Sequence, residues 1–313
     1  MKIKKSYVAA LGHVTADQYY RCLQKIVVGD KFFVRHIETL PGGMVANTAC
    51  VLAALGTPTK FLSALGTDSY TRMLLQSFES FNVSIDSIDV LTSCENFKTA
   101  ILMEADGSDR TIMLYENREK PVAVIDAEKE LLLREASFVY GLISDFKTLD
   151  NYRELLGAAK TEGACFMFDA ESSTFVSKDD INDRYFFDLA DVLSFNTEAA
   201  DKYCGRDGDS AFVELIGDSE KIVIITQGAR GCSVLWRDGR VDIPSYSVEA
   251  VDTTGAGDTF NAAFLHALIQ DHDIPYCSKF ATAAANRSVQ FIGARSGAVS
   301  QRMVTDFIES RSK

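Results

Sequence analysis

The sequence predicts an α/β fold: a mainly parallel sheet covered by helices on both faces, with a small second β-sheet beside it. Three observations carry this. Short apolar runs alternate with stretches of helical period along the chain. Those runs are continuously hydrophobic rather than alternating, which marks strands buried on both faces, the habit of parallel sheets. At two places, Tyr19–Glu38 and Lys98–Tyr115, strand-like stretches interrupt this order with no helix between them.

Taken in order, Tyr7–Leu11, Phe61–Ala64, Phe138–Tyr140, Cys165–Phe168, Val192–Phe195 and Ile222–Thr226 read as buried strands. Val45, Ala49, Leu52 and Leu55 form one helical stripe, and Leu74, Phe78 and Phe81 another. Further helical patterns run through Leu149–Lys160, Thr259–Gln270, Pro275–Phe291 and Gln301–Ser310. In the second interruption, Thr99–Glu104 and Arg110–Leu114 flank Asp106-Gly107, a step that suits a tight hairpin turn. The interruptions form either a decorated sheet edge or a small separate sheet. The second option would place a lid over the strand C-terminal ends, where open α/β sheets bind ligands.

Composition narrows the function. With 313 residues the chain holds two domains or one large α/β domain with an insertion. It carries 32 Lys+Arg against 44 Asp+Glu, a formal charge of −12. Nucleic acid and anionic membranes both need a basic face, so neither is an expected partner. The seven cysteines are scattered with no Cys-x-x-Cys pair, which fits reduced thiols rather than a metal or disulfide framework. No signal-peptide pattern and no membrane-spanning apolar stretch is evident, so a cytoplasmic location is expected.

The chemistry concentrates in Val251-Asp252-Thr253-Thr254-Gly255-Ala256-Gly257-Asp258-Thr259-Phe260. Small residues there expose the backbone, and the helix that follows offers unpaired N–H groups and a positive dipole end to an anion. Asp258 lies roughly 160° around that helix from Phe260, at about 100° per residue, so it is expected to point out of the core beside the anion site. A carboxylate beside a phosphate cradle makes sense as a base that accepts a hydroxyl proton. The alternative is a first-turn or capping aspartate. A dinucleotide fingerprint fails for want of a third glycine, and no Gly-x-x-x-x-Gly-Lys-Ser/Thr occurs.

The stretch Asp252 to Phe260 resembles the C-terminal signature of the PfkB/ribokinase family of carbohydrate kinases. Pro41-Gly42-Gly43-Met44-Val45-Ala46-Asn47, Leu55-Gly56 and Gly66-Thr67-Asp68-Ser69 follow that family's order. Gly12-His13-Val14-Thr15-Ala16-Asp17 is similar to its first substrate loop, Thr226-Gln227-Gly228-Ala229-Arg230-Gly231 to its nucleotide loop, and Phe291-Ile292-Gly293-Ala294 to its C-terminal turn. The resemblance implies a ribokinase-like three-layer core with a mainly parallel sheet plus a small β-sheet lid. It implies one kinase domain over residues 1–313, with lid strands inserted at about 14–40 and 97–117. It also implies transfer of the γ-phosphoryl group of ATP to a hydroxyl of a sugar or sugar-like substrate.

On the same basis Asp258 would be the general base and Gly255, Ala256 and Gly257 the anion hole. Asp17, Gly42, Gly43 and Asn47 would bind substrate, and Asn196, Thr226, Gly228 and Gly231 the nucleotide. Asp252, Thr254, Ser288 and Gly293 match positions that hold a monovalent cation such as K⁺ in some members, although Asp252 could equally tie down its loop. Mg²⁺ would accompany ATP, but the family's Asn-x-x-Glu is here Asn196-Thr197-Glu198, which places the acid one residue early and leaves Glu198 in doubt. His13 is a further sugar-contact candidate, and Arg110 is either a substrate contact or a solvated hairpin charge. A nucleoside or sugar-acid kinase, or a catalytically weak sugar- or nucleotide-binding sensor, are the alternatives. A homodimer through exposed lid edges is expected.

Overall fold

The computed structural model describes residues 3–4, 6–27, 29, 31–105, 110–297 and 300–311. The first half contains β1 (Val8–Leu11), β2 (Thr15–Cys22), β3 (Val34–Gly42), α1 (Met44–Leu55), β4 (Thr59–Gly66), α2 (Thr71–Ser80), β5 (Ile88–Leu91), β6 (Phe97–Met103) and β7 (Arg110–Leu114). There follow α3 (Ala127–Glu135), β8 (Phe138–Leu142), α4 (Ile143–Phe146), α5 (Tyr152–Thr161), β9 (Cys165–Ala170), α6 (Ile181–Leu189) and β10 (Val192–Asn196). The chain continues through α7 (Thr197–Cys204), α8 (Ser210–Ile216) and β11 (Ile222–Thr226). A hairpin, β12 (Cys232–Trp236) with β13 (Gly239–Ile243), precedes α9 (Ala256–Ile269), α10 (Ile274–Ser288) and α11 (Gln301–Arg311).

The main sheet has the order β13-β12-β11-β10-β9-β8-β1-β4-β5. From β5 to β11 all neighbours are parallel, and the β11–β12 and β12–β13 pairings are antiparallel. Its strands bury both faces. Val8 and Ala10 of β1 pack into one core with Val45, Leu52, Phe264 and Phe280, while Ala9 and Leu11 pack into the other with Val139, Phe166 and Phe212. This two-sided burial is why the strands read as continuous apolar runs, and it produces the three layers.

The second sheet is four-stranded, in the order β3-β2-β6-β7. Strands β6 and β7 pair antiparallel with Met103 opposite Arg110. The Asp106-Gly107 turn itself lies outside the described residues. Both interruptions of the α/β order therefore contribute to one separate sheet rather than to a decorated edge.

Helix α10 ends three residues earlier than its apolar pattern suggests. The Val289 carbonyl accepts from the backbone N–H groups of Val251 and Asp252, at 2.8 and 3.1 Å, and so anchors the start of the Gly-rich loop. Among the described residues no helix is long and apolar enough to cross a membrane.

Candidate active site

Strands β1, β8, β9, β10 and β11 are parallel, so their C-terminal ends open on one side of the sheet, and α9 begins there. Gly255 is its N-cap, in the left-handed region at φ 75°. A Cβ at Gly255 would also lie 2.6 Å from the Ala294 Cβ and 2.8 Å from its carbonyl oxygen, so glycine is required twice over. Gly257 differs: a Cβ there would meet nothing within 4 Å. Its open side, together with Ala256, lines a cavity of about 510 Å³ that also receives Thr226, Gly228, Gly231, Tyr246 and Asn286. Three of the four expected nucleotide residues thus share one cleft. Asn196 is not among the lining residues, and its Oδ1 caps α7 by accepting from the Ala199 N–H at 2.8 Å.

Asp258 does not point out to solvent as the helical wheel suggested. It is 5% exposed, because α9 packs against both α1 and α10 and every residue from Asp258 to Leu268 is buried. Nor does it cap the helix, for α9 has no side-chain cap. Its Oδ2 accepts from Asn47 Nδ2 at 2.7 Å, and its carbonyl accepts from Thr48 Oγ1 at 3.2 Å. Among the described residues no hydrogen bond engages Oδ1. Burial raises the Asp258 pKa to about 7; the Asn47 bond and Arg295 pull against this, and the negative charges of Glu171 and Asp17 add to it.

The residues expected to bind substrate lie close to Asp258 and to one another. Asp17 is buried and its Oδ1 accepts from Thr15 Oγ1 and Thr99 Oγ1, at 2.7 and 2.6 Å. Gly42 faces that carboxylate so closely that a Cβ would lie 1.9 Å from Asp17 Oδ2, and a Cβ on Gly43 would lie 2.6 Å from the His13 carbonyl oxygen. Thr15, Thr99 and Gly12 line a second cavity of about 440 Å³, along with His13, Phe97 and Asp145. His13 Nδ1 lies 3.0 Å from Asp145 Oδ1. Burial alone would lower the His13 pKa, but the adjacent Asp145 carboxylate outweighs it and the net shift is upward.

Asp252, Thr254 and Gly293 also meet, as a tie between protein groups. Asp252 Oδ1 accepts from the N–H and Oγ1 of Thr254, and Oδ2 from the Gly293 N–H at 2.9 Å. The Ser288 carbonyl accepts from the Phe291 N–H at 3.2 Å. The tied-loop alternative is the one seen, and the expectation of K⁺ rests on the resemblance alone. Arg110 of β7 donates to Thr253 Oγ1, linking the small sheet to the Gly-rich loop, so it is no solvated hairpin charge.

Several residues escaped the sequence reading. Arg295 is 5% exposed and donates to Asn47 Oδ1, Ser77 Oγ and the Gly42 carbonyl, at 2.8, 2.7 and 2.9 Å. Beneath Asp258, Asn261 donates to Asp169 Oδ2 at 2.9 Å and to the Tyr140 hydroxyl at 3.3 Å. Burial raises the Asp169 pKa well above the ordinary range, and the charges of Asp258 and Glu171 raise it further. The position of Arg295 directly after Gly293-Ala294 was the available signal.

Comparison with known proteins bears on the family and the fold. The profile of the pfkB family carbohydrate kinases matches residues 5–301. Fructokinase-1 of Oryza sativa subsp. japonica is 31% identical over 241 residues, covering 74% of each chain. Probable fructokinase-5 of Arabidopsis thaliana is 28% identical over 246 residues, covering 75% of each. The fold matches the solved structure of Arabidopsis thaliana ribokinase complexed with ribose and ATP, with a TM-score of 0.81 at 22% identity over 97% of this chain and 98% of that one. It also matches Xylella fastidiosa fructokinase with bound ATP, with a TM-score of 0.77 at 20% identity over 98% and 99%. Profile and fold match over nearly the whole length and the relatives over about three quarters of it, and the chain belongs to the pfkB family of carbohydrate kinases.

Proposed function

We propose that the protein transfers the γ-phosphoryl group of ATP to a sugar hydroxyl, with Asp258 as the general base. One observation carries this reading: a buried carboxylate with a pKa of about 7 sits between a helix start that suits phosphate and a loop of hydroxyl-binding groups. The acceptor oxygen attacks the γ-phosphorus as its proton passes to Asp258 Oδ1. The bond from phosphorus to the β–γ bridging oxygen breaks, and ADP leaves. The backbone at Gly255, Ala256 and Gly257 receives the charge on the moving group, and the 510 Å³ cleft takes the nucleoside. Asp17, Asn47 and the bare backbone at Gly42 and Gly43 hold the other hydroxyls, since each one buried unpaired would cost about 1–3 kcal/mol.

Mg²⁺, when bound, neutralises the ATP phosphates. Among the described residues no three acidic, histidine or cysteine side chains converge on one point, so phosphates and water would supply most of its ligands. The fit lies at Glu171 and Glu198. Glu198 Oε1 accepts from Ser172 Oγ at 2.8 Å, and after burial its charge is the next cause of a raised Glu171 pKa. These two carboxylates, rather than Asn196 alone, would face the cation.

The plant relatives are named fructokinases, and on that ground we take a ketohexose of the fructose class as the substrate. A nucleoside is the second reading, favoured by the 440 Å³ cavity, whose Leu11, Leu62, Phe97 and Leu149 could receive a base beyond a ribose ring. We further propose a cytoplasmic enzyme, in which seven free cysteines stay reduced, and a homodimer formed through the apolar outer positions of the small sheet. The test is ADP release with ATP and Mg²⁺ against ketoses, aldoses, sugar acids and nucleosides. Fructose-stimulated release is expected. Release stimulated only by nucleosides would favour the second reading, and none with any acceptor would leave a sensor.

A further inference from the structure

We propose that Arg295 is a positioning residue that locks Asn47 and the Gly42 loop in the orientation the base and the sugar require. This rests on the reading of Asp258 as the base and extends it to a residue at the opposite end of the chain. The guanidinium is 5% exposed and no carboxylate pairs with it among the described residues. Removing a cation from water is costly, and here three hydrogen bonds and the face of Phe78, at 5.1 Å from its ring centroid, compensate it. Its balancing charge is one residue further on, across Asn47.

The amide of Asn47 has two possible orientations, and Arg295 decides between them. With Oδ1 accepting from Arg295 Nε at 2.8 Å, Nδ2 must face Asp258 Oδ2, at 2.7 Å. The flipped amide would put a carbonyl oxygen against a carboxylate and an NH₂ group against a guanidinium. Arg295 Nη2 simultaneously holds the Gly42 carbonyl, and so fixes the strand end that Asp17 presses against. The turn carrying Arg295 also packs Ala294 against Gly255 and binds Asp252 through the Gly293 N–H. One C-terminal turn therefore sets the spacing of the anion loop and the substrate loop.

The groups that surround Asp258 are otherwise acidic or neutral. Asp17 acts on it from β2, Glu171 and Asp169 from the end of β9, and Tyr140 from β8, and among the described residues Arg295 is the cation that most affects its carboxylate. Losing that charge favours the protonated carboxyl and moves the ionisation of the base to higher pH.

The test compares Arg295→Met and Arg295→Lys with the wild type, measuring KM for sugar, KM for ATP and the pH dependence of kcat/KM for sugar. Arg295→Met should raise sugar KM about tenfold or more, leave ATP KM within about twofold, and move the acid limb up by about one pH unit, which is about tenfold in rate on that limb. Arg295→Lys keeps the charge but loses the planar fork, so it should raise sugar KM while the limb stays in place. Equal changes in both KM values, or unchanged sugar KM with an unmoved limb, would overturn the inference. Should Arg295→Met fail to fold, the sugar-to-ATP split in Arg295→Lys decides alone. A wild type with no acid limb would instead count against Asp258 as the base, so the two failures are distinguishable.

Discussion

Asp258 shows how far a single residue's burial changes what it does. An exposed aspartate would be ionised near pH 7 and a weak base. Asp258 is buried where α9 packs on α1, and its pKa is raised to about 7, the range that suits a general base. The rate should therefore fall as pH drops below about 7, and kcat/KM against pH for the sugar checks this. The same shift bears on stability. The folded pKa lies above the unfolded one, so the unfolded state releases this proton first and stability is lost as pH rises from about 4 to about 7. Asp258→Asn removes that penalty. It should stabilise the protein at pH 8, by on the order of 1–3 kcal/mol, with the gain fading towards pH 4. Thermal unfolding at the two pH values tests the sign, and destabilisation at pH 8 would show that the carboxylate is held charged. None of this was readable from the wheel, which takes one helix face to be solvated.

At the scale of elements, the start of α9 was legible because its signal is local: a few consecutive small residues followed by a helical period suffice. The network behind it was not, because its hydrogen bonds join residues 211 and 248 positions apart. The β12–β13 hairpin was missed although Asp238-Gly239 carries the same turn signal as Asp106-Gly107. Two glycines at the start of α9 separate a structural role from the proposed functional one. Gly255→Ala forces a side chain into positive φ and against Ala294, so it should lose on the order of 1–3 kcal/mol of stability along with activity. Gly257→Ala meets no protein atom within 4 Å and improves helix propensity, so its melting temperature should hold or rise. Its ATP KM should nevertheless rise about tenfold or more, because the added methyl group enters the space proposed for phosphate. An unchanged ATP KM would remove Gly257 from the anion hole.

The whole molecule pairs a doubly covered sheet with a smaller sheet that is tied to the C-terminal part of the chain by Arg110 on Thr253 and by Arg295 on the Gly42 carbonyl. Fold class and layer order were legible because burial on both faces writes itself into hydrophobic runs. The outer strands β3 and β7 expose Val34, Ile37, Ile112, Met113 and Leu114, apolar positions that a second copy would cover. Sedimentation should therefore find a dimer, and Ile112→Lys with Leu114→Lys should return monomers; a monomeric wild type would dismiss the interface. The central claim is that Asp258 takes the acceptor's proton while the fold around it only binds and positions. The direct measurement is kcat and ATP affinity for Asp258→Asn beside the wild type with the best acceptor sugar. The account predicts kcat lowered by about 10²–10⁴ with ATP binding kept or slightly tightened; a folded Asp258→Asn enzyme turning over near the wild-type rate would contradict it.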